Sequence, residues 1–436
     1  MSTNPLRTPM ACVLLALVLV SSVALARGRG REAAVGAPLR PTVEKLADGS
    51  ELVLAPRPRA AWASLHYVVR TGSRKDPEGK EGLAHLLEHV IFHGTYDVRG
   101  EDFQQAVKTA GGEFNGFTTA HSTTYVLQAP AESFLPLADQ LVRIVTSPKL
   151  DPRQMQREVE IIRTESQDLG QGPGFHEHLE NSLFSGSGAI LGTQQTLDSI
   201  SRKDLADFYT RYYTPANTSI VITGGVKREE VLGMLERAVR LPPSLPGESP
   251  LTPVTPPVLP IEQSTRASFS LIAYGYHVAP KDKGACARVA ALLELRLTRA
   301  LHVEEPLTLG MQVRCMSLRG NTFLMALAFS ESLNANTLPE RMQLAFEQLG
   351  REPPTAAEEK LMDRHVQRAY AQQVEDDLQR GSELAREVAQ PRAGPLDPAL
   401  LMSLPKRLPR GAMRDFARRT FLPERQVVVN FSPFSG

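Results

Sequence analysis

Two histidines and a glutamate stand close together in the run His85-Leu86-Leu87-Glu88-His89. Positions four apart share one face of a helix, so both imidazoles can grip a single metal ion. Glu88 follows His85 by three positions, which puts its carboxylate beside the same face. A hydrolytic zinc takes three protein ligands and keeps one position open for water. Glu165, in the run Arg157-Glu158-Val159-Glu160-Ile161-Ile162-Arg163-Thr164-Glu165, is the best candidate for the third ligand of one Zn2+ per chain. Taken alone, the short motif also suits a polar helix face carrying two solvated histidines.

The context is more specific. H-x-x-E-H inverts the H-E-x-x-H order and is the inverzincin signature. It is embedded in Gly82-Leu83-Ala84 before and Phe92, Gly94 and Thr95 after. Gly111, Gly112, Asn115 and Thr118 match a G-G-x-x-N-A-x-T segment, with Gly116 where alanine is usual. Leu191-Gly192-Thr193 with Ile200, Leu205 and Tyr209 looks like a recurrent helix start, and Tyr213-Thr214-Pro215-Ala216-Asn217 like a turn into a central strand. Together these resemble the pitrilysin/insulysin family of zinc peptidases, in its processing-peptidase-like branch and its zinc-bearing subunit. The likeness is detailed from about residue 42 to 230 and one of pattern from about 265 onward.

The resemblance implies that His85, His89 and Glu165 bind zinc and that Glu88 is the general base. A base there would take a proton from the attacking water and return it to the leaving amine. Glu158 lies two helical turns before Glu165 on the same face, placed to orient a ligand histidine or a water. A solvated surface acid is its alternative. Glu160 is off that face and reads as surface. Phe114 to Thr119 reads as an edge strand that could recruit an extended peptide by strand addition. The family's substrate runs along this segment, which makes Asn115, Gly116 and Phe117 substrate-binding; a turn asparagine satisfying its own backbone is the alternative for Asn115. His93, His121, His176 and His178 read as surface histidines, since three ligands are already supplied.

One departure bears on partners. Many family members carry an arginine and a tyrosine, seven residues apart, facing the zinc from the opposite half-shell. Threading Leu297 and Leu301 onto that pattern puts His302 where arginine belongs and Leu309 where tyrosine belongs. The expected completion is a homologous subunit bearing Arg and Tyr, hence a heterodimer, with a homodimer as the alternative. A catalytically silent assembly subunit, or an envelope peptide- or zinc-binding module, are the rival readings. The intact His85, Glu88, His89 and Glu165 argue against the first.

The elements that must position these residues follow from the whole chain. Its 436 residues are too many for one core and suggest a repeated unit. The net charge of +1 gives no reason to expect nucleic acid or a polybasic membrane surface. Arg7, the apolar run Val13 to Leu25 and the small-x-small site Ala24-Leu25-Ala26 read as a signal peptide over residues 1–26. A retained anchor is the alternative, although the run is short of the ~20 residues of a bilayer span. Residues 27–41 read as a flexible segment. Export across an inner membrane, to a periplasm, is the expectation, with no stable membrane insertion.

Prolines 242, 243, 246, 250, 253, 256, 257 and 260 mark a linker over residues 241–263, between a zinc-binding domain at 42–240 and a non-catalytic domain at 264–436. Each half opens with strands and a helix and ends on a β-rich run. The expected fold is α+β: two homologous domains, each a mostly antiparallel sheet with helices on one face, forming one half-shell of a peptidase chamber. Cys286 and Cys315, both in apolar-leaning stretches, are expected to be buried free thiols, the alternative being a bridge.

Overall fold

The computed structural model describes residues 41–168, 179–180, 182–184, 190–238, 256–267, 270–330, 337–390, 396, 405–409 and 411–433; the side chains of 165–168, 266–267, 372–375 and 433 lie outside the description. The expected signal peptide (1–26), all but the last residue of the segment expected to be flexible (27–41), most of the proline-rich stretch, and His176 and His178 therefore fall outside the described residues.

The first half builds a six-stranded sheet in the order β1-β2-β6-β3-β5-β4. Its strands are β1 (Thr42–Lys45), β2 (Glu51–Pro56), β3 (Trp62–Val69), β4 (Glu113–Thr118), β5 (Thr123–Pro130) and β6 (Thr218–Gly224). The helices are α1 (Leu83–Ile91), α2 (Gly100–Thr109), α3 (Ala131–Thr146), α4 (Pro152–Asp168), α5 (Gln194–Ser199), α6 (Arg202–Tyr212) and α7 (Arg228–Ala238). The second half builds the sheet β7-β11-β8-β10-β9 from β7 (Ile261–Ala267), β8 (Leu271–Val278), β9 (Gly310–Leu318), β10 (Asn321–Phe329) and β11 (Gln426–Pro433). Its helices are α8 (Lys283–Thr298), α9 (Leu338–Arg351), α10 (Ala356–Glu375), α11 (Asp377–Ala389) and α12 (Ala412–Thr420).

The two sheets repeat one topology. β2 pairs parallel with β6, as β7 does with β11, and every other neighbouring pair is antiparallel. The strand that follows the first helical segment lies at the edge in each half, β4 in one and β9 in the other. β7 begins at Ile261, inside the stretch read as linker. From Ile261 to Ala267 every residue of β7 keeps its N–H, so the ladder with β11 can start directly after Pro260.

Side-chain pattern explains the layers. β3 and β6, central in the sheet, are buried along almost their whole length, whereas β5 alternates between buried and half-buried residues. Leu83, Leu86, Leu87, Val90 and Ile91 of α1 pack into one core with Phe103, Tyr125, Leu127 and Phe134. A second core joins α8, α9 and α12 to β8 and β10.

The other face of each sheet is covered by the opposite half. Leu384, Ala385 and Val388 of α11 pack on Val53, Ala55, Val68 and Val221 of the first sheet. Leu179, Leu183 and Phe184 of the first half pack on Leu271, Phe323, Met325 and Val429 of the second. Helix α11 fits closely because residue 381 is glycine: a Cβ there would fall 2.5 Å from Nε2 of His66 and 2.6 Å from Oγ of Ser64.

The expectation of free thiols is corrected: Cys286 and Cys315 form a disulfide. α8 lies against β9, which brings the two Cα atoms to 6.0 Å, within bonding reach. Among the described residues, no helix is long and apolar enough to cross a membrane.

Candidate active site

The core-facing leucines of α1 fix its rotation, and the remaining face carries His85, Glu88 and His89. The helix begins after Gly82, whose φ of +95° falls in the left-handed region. Asp76 substitutes for a cap, accepting from the backbone N–H groups of Gly82 and Ala84 at 2.9 Å each.

His85 and His89 aim their Nε2 atoms at one point, 3.3 Å from each other. Two nitrogens bound tetrahedrally at ~2.0–2.1 Å from one zinc stand about 3.3–3.4 Å apart, so the pair fits a shared ion. Burial, with the neighbouring His89, holds His85 down to about 3, which keeps it neutral as a ligand must be. Oε2 of Glu158 is 2.8 Å from Nδ1 of His89. When that nitrogen donates to the carboxylate, the ring's lone pair is on Nε2, the nitrogen that faces His85.

Glu158 is thus no solvated surface acid. Burial pushes its carboxyl up, but the hydrogen bonds and charges of His89 and His93 prevail and hold it at about 2. Glu160, by contrast, is exposed and pairs with Arg163. Glu88 is 6% exposed and accepts from Oγ1 of Thr118 at 2.9 Å. Its other oxygen lies over Gly116, in the room that the missing methyl leaves.

β4 is the sheet edge, with Phe114, Gly116 and Thr118 half-buried and Asn115 and Phe117 exposed on the alternate positions. Oδ1 of Asn115 accepts from the N–H of Gly116 at 2.9 Å, the local bond weighed as its alternative. Glu165 lies on α4, two turns after Glu158, and its side chain is outside the described ones. Accordingly, no group of three metal-binding side chains gathers among the described residues.

Two histidines read as surface residues are instead engaged. His93 Nε2 stands 2.6 Å from Oε1 of Glu158. His121 is 2.7 Å from Glu180, which also accepts from Nε of Arg319 at 2.8 Å, joining the β4–β5 turn to the β9–β10 turn. Spacing from the H-x-x-E-H motif carries no signal for either, since each partner is remote in sequence. In the second half, α8 runs into a π-helical turn over Arg299–Glu304. There Nδ1 of His302 lies 2.8 Å from the carbonyl of Thr308, and Leu309 is 67% exposed.

These features define the class: a duplicated α+β fold with an inverted H-x-x-E-H motif in its first half. A family model described as insulinase (peptidase family M16) matches residues 52–192, and one described as the peptidase M16 inactive domain matches residues 199–368. The chain belongs to the M16, or insulinase, family of peptidases, with a second half of the inactive type. It is 26% identical over 200 residues to an uncharacterised zinc protease of Rickettsia bellii, covering 45% of this chain and 48% of that one. It is 28% identical over 200 residues to a probable mitochondrial-processing peptidase β subunit of Arabidopsis thaliana, covering 45% and 38%. The matches thus span less than half the length of these relatives. The fold is that of a protease from Helicobacter pylori, with a TM-score of 0.75 at 18% identity over 91% of this chain and 100% of that one.

Proposed function

We propose that this chain is the zinc-bearing subunit of a secreted metalloendopeptidase that hydrolyses peptides or unfolded polypeptides in a closed chamber. The observation that carries the reading is the 3.3 Å approach of the two Nε2 atoms beside Glu88, with Glu158 behind His89. His85, His89 and Glu165 hold one zinc, which supplies Lewis acidity toward water and the scissile carbonyl. Glu88 takes the proton of the attacking water and delivers it to the leaving amine, while Thr118 holds the carboxylate. The edge strand β4 receives the substrate backbone at Asn115, Gly116 and Phe117 by strand addition.

His302 and Leu309 offer no arginine–tyrosine pair, so a homologous subunit supplies those groups and the working enzyme is a heterodimer. Export to a periplasm accounts for the apolar leader and accords with the Cys286–Cys315 bridge.

The test is cleavage of an unstructured peptide by the purified chain, alone and mixed with a homologous chain bearing the pair, with and without chelator. Activity should appear on mixing and vanish with chelator. Glu88→Gln should keep zinc and lose about 10²–10⁴-fold in turnover. Full activity of a pure homodimer would refute the partner requirement. Zinc occupancy without any turnover in either state would favour a binding module.

A further inference from the structure

Glu158 presents its two oxygens to two different histidines: Oε2 to Nδ1 of His89 at 2.8 Å and Oε1 to Nε2 of His93 at 2.6 Å. Resting on the zinc-site reading above, we propose that His93 is a positioning residue for the metal centre. It holds Glu158 by the oxygen that His89 does not use, and so fixes the carboxylate that orients His89.

The terminal torsion of a glutamate is broad and roughly two-fold, so one donor leaves the carboxylate plane free to turn. Two donors on separate oxygens remove that freedom. The backbone carrying His93 is itself fixed. Gly94 has φ of +98°, and a Cβ on it would lie 2.1 Å from the carbonyl oxygen of Val98. Gly100 donates its N–H to the carbonyl of His93 at 3.1 Å, and a Cβ there would lie 2.0 Å from the carbonyl oxygen of Phe92. The N–H of Lys149 binds the carbonyl of Gly94 at 3.0 Å, just ahead of the helix that bears Glu158. The turn after α1 therefore fixes the His93 end of the contact and is tied to the segment that leads into the helix bearing Glu158. With Nε2 committed to Glu158, that nitrogen is not free to be a ligand.

The experiment is zinc affinity by chelator competition, with thermal unfolding of the zinc-free protein measured in parallel. Partners behind ligand histidines typically contribute 10–100-fold in metal affinity, so His93→Leu should weaken zinc by about tenfold. His93→Gln, whose amide can donate from near the position of Nε2, should restore most of that loss. In a Glu158→Ala background His93→Leu should have no further effect, because the group it acts through is gone. Unchanged affinity in His93→Leu, or an equal loss with and without Glu158, would overturn the proposal while leaving the zinc-peptidase reading intact. A wild-type chain that takes up no zinc would overturn both. A His93→Leu variant that lowers the unfolding temperature of the zinc-free protein and is not rescued by glutamine would reduce His93 to a packing role.

Discussion

Glu88 and Gly116 meet across the boundary between α1 and β4 with no space for another atom: a Cβ at position 116 would lie 2.2 Å from Oε1 of Glu88 and 2.7 Å from its Cδ. Alanine is usual there in the family this chain resembles. Here the seat of the carboxylate, against the strand and under the hydroxyl of Thr118, depends on glycine.

Gly116→Ala should therefore move the base without touching the metal ligands. A displacement of about 1 Å at a reacting group can cost about 10²-fold in rate. Peptide cleavage should fall by that order with zinc content unchanged. A variant as active as wild type would show that Glu88 works from a different position.

His85→Ala, His89→Ala and Glu165→Ala should each lose most of the zinc after dialysis, because two remaining ligands make too weak a site. Metal analysis of the purified variants checks this. Glu165→Ala is the most informative of the three, since full occupancy in that variant would require another third ligand.

Glu180 should make the fold acid-sensitive. Burial pushes its carboxyl up, but His121 and Arg319 outweigh it and hold it below the ordinary range. A carboxyl lowered on folding stabilises fully above its unfolded value and loses that contribution as pH falls through the folded one. At pH 7 Glu180→Gln should be less stable by about 2 kcal/mol, the loss of a hydrogen-bonded charge. Below about pH 4.5 the gap to wild type should narrow. Denaturant midpoints across pH measure it, and a constant gap would exclude the ion pair as the cause.

Reducing the Cys286–Cys315 bridge, or replacing both residues with serine, should destabilise the second half. The loop spans 29 residues of sequence separation, and closing a loop of this size is worth about 3–4 kcal/mol in the chain-entropy account. Thermal unfolding with and without reductant provides the measurement.

The parts of the site legible in the sequence were those encoded by local spacing. The leucines of α1 dictate its buried face and so place His85, Glu88 and His89 opposite. The double glycine at 111–112 allows a tight turn, and the run from Phe114 to Thr119 reads as the edge strand that β4 forms. What was not legible depends on contacts between distant segments. His93 meets a carboxylate 65 positions away, and His121 is engaged only because Glu180 and Arg319 converge on one turn. The cysteines pair because α8 happens to cross β9. The exchange of α11 and Leu179, Leu183 and Phe184 was invisible for the same reason: an apolar helix face does not declare which sheet it will cover.

That exchange imposes a timetable on synthesis. The last strand of the first sheet is complete at Gly224, yet among the described residues the main cover over Val53, Ala55, Val68 and Val221 comes from α11. A nascent chain must carry that bare apolar face while β7 to β10 emerge, the condition that recruits holding chaperones and promotes misassembly. Chains ended before Asp377 should stay soluble only while something else occupies the place of α11, so the second half serves the first as its own late-arriving chaperone.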